Sequence, residues 1–381
     1  MWHRPIAVGL AALVVATTFV TLRLQSYDWN PTGFVHAGGL FVDSAAAPAG
    51  LLVRRGEVGF DGTGFYRLAL NPVTTSVAER GIEFDLPAFR QQRILYPLLA
   101  WAVVGGGRAQ AVPWALIGIN LAAFFALGWL GGSLAVAFGR STWWGLAVPA
   151  YPGFAVALGL DTAEIVAAAF ALAGTLALVR SRLAWATAAF TAAMFTRETT
   201  LLFVFGAAIA WAVARRTGRR TSYGVAVFVV PLTSYIAWQG ILWHLWGTLP
   251  LRQGGGLDIA FPLFGLFKNV AGWPSTDAKQ AAFHYILAIA MAVFFITVVR
   301  ESRRTSVPNF VRLGAGLALA LSLLLSEAIW LHHWGFLRAF TEAYLLGTLV
   351  LLGSSRVRLD RFLIASCTLW MAIAVNLLAH P

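Results

Sequence analysis

The chain has 381 residues, of which 59% are hydrophobic and only 12% charged, with a formal net charge of +12. Soluble domains carry about 25% charged residues, and here runs of about 17 or more apolar residues, enough to cross a bilayer, recur along the sequence. Composition therefore excludes an ordinary soluble enzyme, and the lack of short alternating segments excludes a β-barrel; the fold class expected is an all-α polytopic membrane protein.

The first apolar run, in "MWHRPIAVGLAALVVATTFVTLRL", is too long for a signal-peptide core and predicts an uncleaved helix over 5–24. A polar segment follows over 25–92, then a stretch too short to span alone, "ILYPLLAWAVVGG" at 94–106. Spanning helices are expected at 111–137, 143–158, 162–179, 199–214, 223–246, 281–299, 312–331, 336–353 and 361–379. With a short one at 184–196, the total is about 11. The whole chain reads as a single polytopic domain, 1–381, with a second large loop at 247–280. No repeat of 20–50 residues is visible.

Arginines cluster between these runs as "RSR" at 180–182, "RRTGRR" at 215–220, "RESRR" at 300–304 and "RVRLDR" at 356–361. Such short clusters are the positive-inside signature of cytoplasmic loops. A nucleic-acid partner would need one continuous basic face instead. With the N-terminus inside, one face holds 15 of the 28 basic residues with only Glu301 and Asp360, a net of +13, and the other face has a net of −1. Segments 25–92 and 247–280 are then extracytoplasmic. The lone cysteine, Cys367, permits no intrachain disulfide.

Most of the acids fall on that outer side, beside a few arginines. "GFDGTGFYRLALNP" at 59–72 carries Asp61, Tyr66 and Arg67 among spaced glycines that allow close backbone approach. Asp61 suits a general base or a metal ligand, and equally an Asp-Gly turn. In "DLPAFRQQRILYPLLAW", Arg90 and Arg93 are three apart and would share a helix face where the chain re-enters the membrane, with Tyr96 and Trp101 as interfacial anchors. Paired guanidinium groups there fit a phosphate headgroup, or simple snorkelling to lipid. Asp161 and Glu164 in "LDTAEI" face one way, as substrate-hydroxyl ligands or helix caps. Arg197 and Glu198 in "FTRETT" lie between apolar segments, where ionisable groups line a cavity or pair between helices. Arg338 and Glu342 are four apart, near His332 and His333. No cysteine-based or HExxH ligand set occurs, nor any nucleotide loop. These residues single out no cofactor, and a divalent metal is compatible with Asp61.

The segments "GFDGTGFYRLALNP", "PAFRQQRILYPLLAW", "DTAEI" and "TRETTLL" resemble a bacterial subgroup of the GT-C superfamily, integral-membrane glycosyltransferases that use polyprenyl-phosphate sugars. The pattern of that subgroup runs roughly Y-D-G-x-x-Y, R-x-x-R-I-L-Y-P, an acid at a helix entrance and T-R-E. The likeness covers about 55–205. It implies a GT-C-like fold in a bacterial inner membrane, an inverting transfer from a polyprenyl-phosphate sugar donor to a glycan, lipid or protein acceptor in the cell envelope, and Asp61 as catalytic base. It also implies substrate contacts from Tyr66, Arg67, Arg90, Arg93, Tyr96, Asp161, Glu164, Arg197, Glu198, His332 and Arg338. Many GT-C enzymes carry two adjacent acids in the first loop, whereas here Gly62 follows Asp61. A transporter or flippase for an anionic envelope precursor, or a non-catalytic assembly partner, is the alternative expectation.

Overall fold

The computed structural model describes residues 3–272 and 278–380 and is overwhelmingly helical. Part of the expected loop 247–280 therefore lies outside the described residues. Helix α1 (His3–Gln25) leads into an ordered loop that holds α2 (Asp61–Leu70), α3 (Pro87–Gln91) and α4 (Leu95–Val103). The bundle continues with α5 (Val112–Ala137), α6 (Pro152–Gly159), α7 (Glu164–Val179), α8 (Leu183–Thr196), α9 (Leu201–Arg216) and α10 (Ala226–Trp246). Next come α11 (Pro250–Asp258), α12 (Phe264–Gly272), α13 (Ala278–Glu301), α14 (Asn309–Leu323) and α15 (Glu327–Trp330). The described chain closes with α16 (His333–Ala339), α17 (Thr341–Leu352) and α18 (Leu359–Ala379).

Among the described residues, six helices are long and apolar enough to cross a membrane, or seven if the bent pair α16–α17 counts as one span. These features are those of a polytopic membrane protein. Three of the segments expected as single spans are interrupted. The 143–158 run is a 3-10 turn, Thr142–Ala147, followed by α6, which starts at Pro152 because proline cannot continue a preceding helix. The 312–331 run stops at Leu323, and α16 and α17 meet at 54° around Phe340. The stretches 94–106 and 184–196 are short helices, as their lengths predict.

Helix α5 is the axis of one half of the bundle, with α1 on one flank and α7 on another. Close approach depends on small residues: a Cβ at Gly128 of α5 would lie 2.7 Å from the Val8 carbonyl oxygen of α1. Further packing runs α7 to α8, α8 to α10, and α9 to α14 to α17. The turns after α5, α13 and α17 meet at one end of the bundle, where Arg140 Nε donates to Leu352 O at 3.1 Å and Ser306 N to Gly353 O at 3.1 Å.

The first loop, at the other end, is built rather than loose. Asn30 caps a 3-10 turn by accepting from the Thr32 amide. Strands β1 (Ala37–Gly38) and β2 (Val53–Arg54) pair in parallel, and β3 (Ala78–Glu79) and β4 (Ile82–Glu83) form a hairpin. The two hairpin-turn residues, Arg80 and Gly81, have φ of 52° and 69°, the backbone that matches strand twist.

Candidate functional site

Asp61 is the first residue of α2, following Phe60 in extended backbone, so the Asp-Gly pair opens a helix instead of making a turn. Gly62 is needed there, since a Cβ would sit 2.6 Å from Leu160 O and 2.7 Å from Val35 O. That contact sets α2 against the break between α6 and α7. Three arginines converge on the Asp61 carboxylate. Arg90 Nη1 donates to Oδ1, while Arg338 Nη2 donates to Oδ2 at 2.6 Å and Arg93 Nη1 to the same oxygen at 3.5 Å.

A second row of acids completes the cluster. Arg338 Nε donates to Glu164 Oε1 at 2.7 Å, and Arg197 Nη1 lies 3.3 Å from the same oxygen. Arg93 donates from Nε to Glu198 Oε2 at 2.8 Å, and Arg90 from Nε to Asp85 Oδ1, also at 2.8 Å. Arg197 approaches Glu342 at 3.7 Å, and Glu342 accepts from Thr199 Oγ1 at 2.8 Å. Four guanidinium groups thus face five carboxyl groups, drawn from α2, α3, α7, α16, α17, the hairpin–α3 link, the α3–α4 link and the α8–α9 turn. The Glu164 and Glu342 side chains are each 2% exposed. Buried charges are tolerated only when paired and hydrogen-bonded, which is what this interlock supplies.

The arrangement controls ionisation. Burial opposes the charged form of Asp61, but Arg338, Arg90 and Arg93 outweigh it and hold the carboxyl well below the usual carboxylate range. Burial likewise opposes Asp85, and the Arg90 contacts overcome it to lower that group too. Carboxyls lowered on folding stabilise fully above their unfolded values near about 4, and the contribution is lost as pH falls through the folded values. The stabilisation contributed by the Asp85–Arg90 pair, read as the difference in thermal midpoint between the wild type and Asp85→Asn in detergent, is therefore expected to hold between about pH 7 and 5 and to vanish below about pH 4. A difference that already closes between about pH 7 and 5.5 contradicts the pairing.

Seven of the twelve residues singled out in the sequence meet in this cluster: Asp61, Arg90, Arg93, Glu164, Arg197, Glu198 and Arg338. Five do not. Tyr66 and Arg67 stand roughly 140° and 240° around α2 from Asp61. Tyr66 Oη donates to Ala109 O at 3.2 Å. Arg67 donates to Ile82 O at 2.8 Å and Ser76 O at 2.6 Å, tying the hairpin to α2. Tyr96 is buried, not interfacial: its Oη donates to Leu116 O at 3.1 Å and accepts from Asn120 at 2.7 Å. Asp161 is fully buried at φ 46° in the α6–α7 break. His332 is exposed, while His333 pairs with His284 at 3.1 Å.

Two pairings differ from the spacing-based reading. Arg90 and Arg93 do not share one helix, because α3 ends at Gln91, yet both reach Asp61. Arg338 and Glu342 do not pair, since the bend at Phe340 turns them apart toward Glu164 and Arg197. Asp85 and Thr199 complete the cluster without having been assigned a role. Asp85 had a signal, five residues before Arg90 just ahead of a helix; Thr199 had none beyond adjacency to Glu198. Among the described residues, no group of three or more His, Cys, Asp or Glu side chains is arranged to hold a metal ion.

One space borders the cluster, and a second is lined by residues next to it in the chain. A narrow cleft of about 90 Å³ is bordered by Asp61, Asp85, Arg90, Thr63, Phe41 and Phe60. A groove of about 1240 Å³, almost wholly apolar, runs between α4, α8 and α10 past Leu98, Ala188, Phe195, Val230, Trp238 and Ile241. Gln91 and Ile94 lie at its edge, on either side of Gln92 and Arg93. The α3–α4 link is fastened there, with Trp238 Nε1 donating to Gln92 O at 3.3 Å and Trp246 Nε1 to Gln91 Oε1 at 2.6 Å. Compared with protein-family models, curated proteins and solved structures, the chain matches none.

Proposed function

We propose that this chain is a GT-C-type glycosyltransferase with about 11 spans, which moves a sugar from a polyprenyl-phosphate donor to an acceptor hydroxyl. The N-terminus and the arginine-rich turns face the cytoplasm of a bacterial inner membrane, and Asp61 works on the outer face. The observation that carries the reading is the convergence of arginines on Asp61 at a polar cleft, with an apolar groove lined by Gln91 and Ile94, the residues that bracket Gln92 and Arg93 in the chain. A polyprenyl chain matches the groove in polarity. Its phosphate would then lie at Arg93 and Arg90, where guanidinium forks favour phosphate oxygens. The acceptor enters by the cleft.

Transfer follows from that placement. The acceptor hydroxyl gives its proton to Asp61 as its oxygen bonds the anomeric carbon, and the bond from that carbon to the phosphate oxygen breaks. Polyprenyl phosphate leaves, its new charge met by the arginines. The three guanidinium groups that lower Asp61 also make it a weak base. A phosphate drawing on Arg90 and Arg93 relieves that depression, so the base gains proton affinity when the donor is in place.

The groove assignment has its own test. Ala188→Trp fills the middle of the groove without touching the charged cluster. Its KM for a long-chain polyprenyl donor is expected to rise about tenfold or more, with kcat little changed, since the groove contributes binding common to ground and transition states. An unchanged KM with intact folding removes the groove from the donor path.

A further inference from the structure

The forks of Arg90 and Arg93 are each closed by a carboxylate of the chain itself. Arg90 presents Nε and Nη2 to Asp85 at 2.8 and 2.7 Å, and Arg93 presents the same pair to Glu198 at 2.8 and 2.5 Å. Their remaining Nη1 atoms are directed at Asp61. A phosphate group recognises the same bidentate face that a carboxylate takes. Anion binding at these arginines therefore requires an internal carboxylate to move.

The two carboxylates are not equally fixed. Glu198 belongs to the 3-10 turn between α8 and α9, where Thr200 N donates to Arg197 O at 3.2 Å and the flanking helices hold the backbone. Asp85 lies in the link between the hairpin and α3, borders the cleft, and among the described residues is otherwise tied only to its neighbour's amide, with Leu86 N donating to Oδ1 at 2.8 Å. Rotation about its own side chain is enough to vacate Arg90.

We propose that Asp85 is a displaceable internal ligand of Arg90, a positioning residue that keeps the guanidinium aimed at Asp61 and yields its fork to an isoprenyl-linked phosphate. The inference rests on the donor reading above. Charge makes the exchange even-handed for the substrate: a phosphodiester with one negative charge replaces a carboxylate with one. It is uneven for the product. A phosphate monoester carries close to two negative charges at neutral pH, so it holds the arginines more strongly, and returning Asp85 competes it away. Asp85 thereby favours product release.

The test uses the full chain in nanodiscs of zwitterionic lipid, with farnesyl phosphate as the monoester probe and calorimetry as the readout. Asp85→Asn keeps the shape of the side chain but loses its charge. Farnesyl phosphate is expected to bind Asp85→Asn roughly five- to tenfold tighter than wild type, the lower end of ordinary coupling between competing sites. Asp85→Glu, which restores the carboxylate, is expected to return the affinity to near wild type. Adding Arg90→Gln to Asp85→Asn is expected to abolish the gain. Inorganic phosphate should bind far more weakly, and phosphatidic acid in the disc should not compete; equal competition by phosphatidic acid would assign the fork to bilayer headgroups and overturn the proposal. If wild type binds farnesyl phosphate and Asp85→Asn binds it no tighter, displacement is wrong while the donor reading survives. If neither protein binds it, both are wrong.

Discussion

Asp61→Asn is expected to lower sugar transfer by about 10²- to 10⁴-fold, the range general-base catalysis supplies, while the chain still inserts and folds. The amide has nearly the shape of the carboxylate but no useful basicity, so it cannot take the acceptor proton. Folding survives because each arginine keeps a second acid: Arg90 retains Asp85, Arg93 retains Glu198 and Arg338 retains Glu164. The measurement is transfer from a radiolabelled polyprenyl-phosphate sugar in proteoliposomes, with melting recorded on the same preparation. Full transfer by a folded Asp61→Asn protein removes the base assignment. A protein that fails to fold instead makes Asp61 part of the bundle's structural ion pairing.

The largest effect on stability is expected at Arg338. Its guanidinium bridges Asp61 and Glu164, and its backbone oxygen accepts from Arg197 at 2.9 Å and from Thr341 Oγ1 at 2.7 Å. Arg338→Gln leaves Glu164 at 2% exposure with Arg197 alone, at 3.3 Å. Breaking a buried pair from one side costs about 3–5 kcal/mol. Removing both sides costs less than the sum, because no uncompensated charge is left behind. A double-mutant cycle with Glu164→Gln is expected to give a coupling energy of about 2 kcal/mol, inside the range for residues in one network. Additive effects in that cycle would mean that the two side chains do not share a buried interaction.

How much of this was legible in the sequence depends on which physical signal each feature leaves. Apolar runs and arginine clusters announce the helices and the two ends of the bundle, because partitioning between lipid and water acts on each residue independently of its neighbours in space. The acids and arginines at the ends of the runs stand out for the same reason, and seven of those chosen, Asp61 among them, meet in one cluster. Their partners were not legible. Arg90 and Asp61 are 29 residues apart and Arg338 and Asp61 are 277 apart. Only the tertiary path joins them. Local spacing misled where it assumed an unbroken helix: Arg338 and Glu342 are i and i+4, but the bend at Phe340 separates them. Tyr66 and Arg67 misled differently, lying in the same short segment as Asp61 but on other faces of α2. The groove left no mark, since Ala188, Val230 and Ile241 are indistinguishable by composition from residues that merely face lipid.

The central claim is that Asp61 and its arginines form the meeting point of a lipid-linked phosphate and an acceptor. It is tested most directly by a cryo-EM structure of the chain in nanodiscs with a polyprenyl phosphate. The account predicts the isoprenoid lying between α4, α8 and α10, with its phosphate within hydrogen-bonding distance, about 3 Å, of Arg90 or Arg93 and with Asp85 turned away. A phosphate held elsewhere, with Arg90 still bound to Asp85 and the groove lined only by its own side chains, would contradict it.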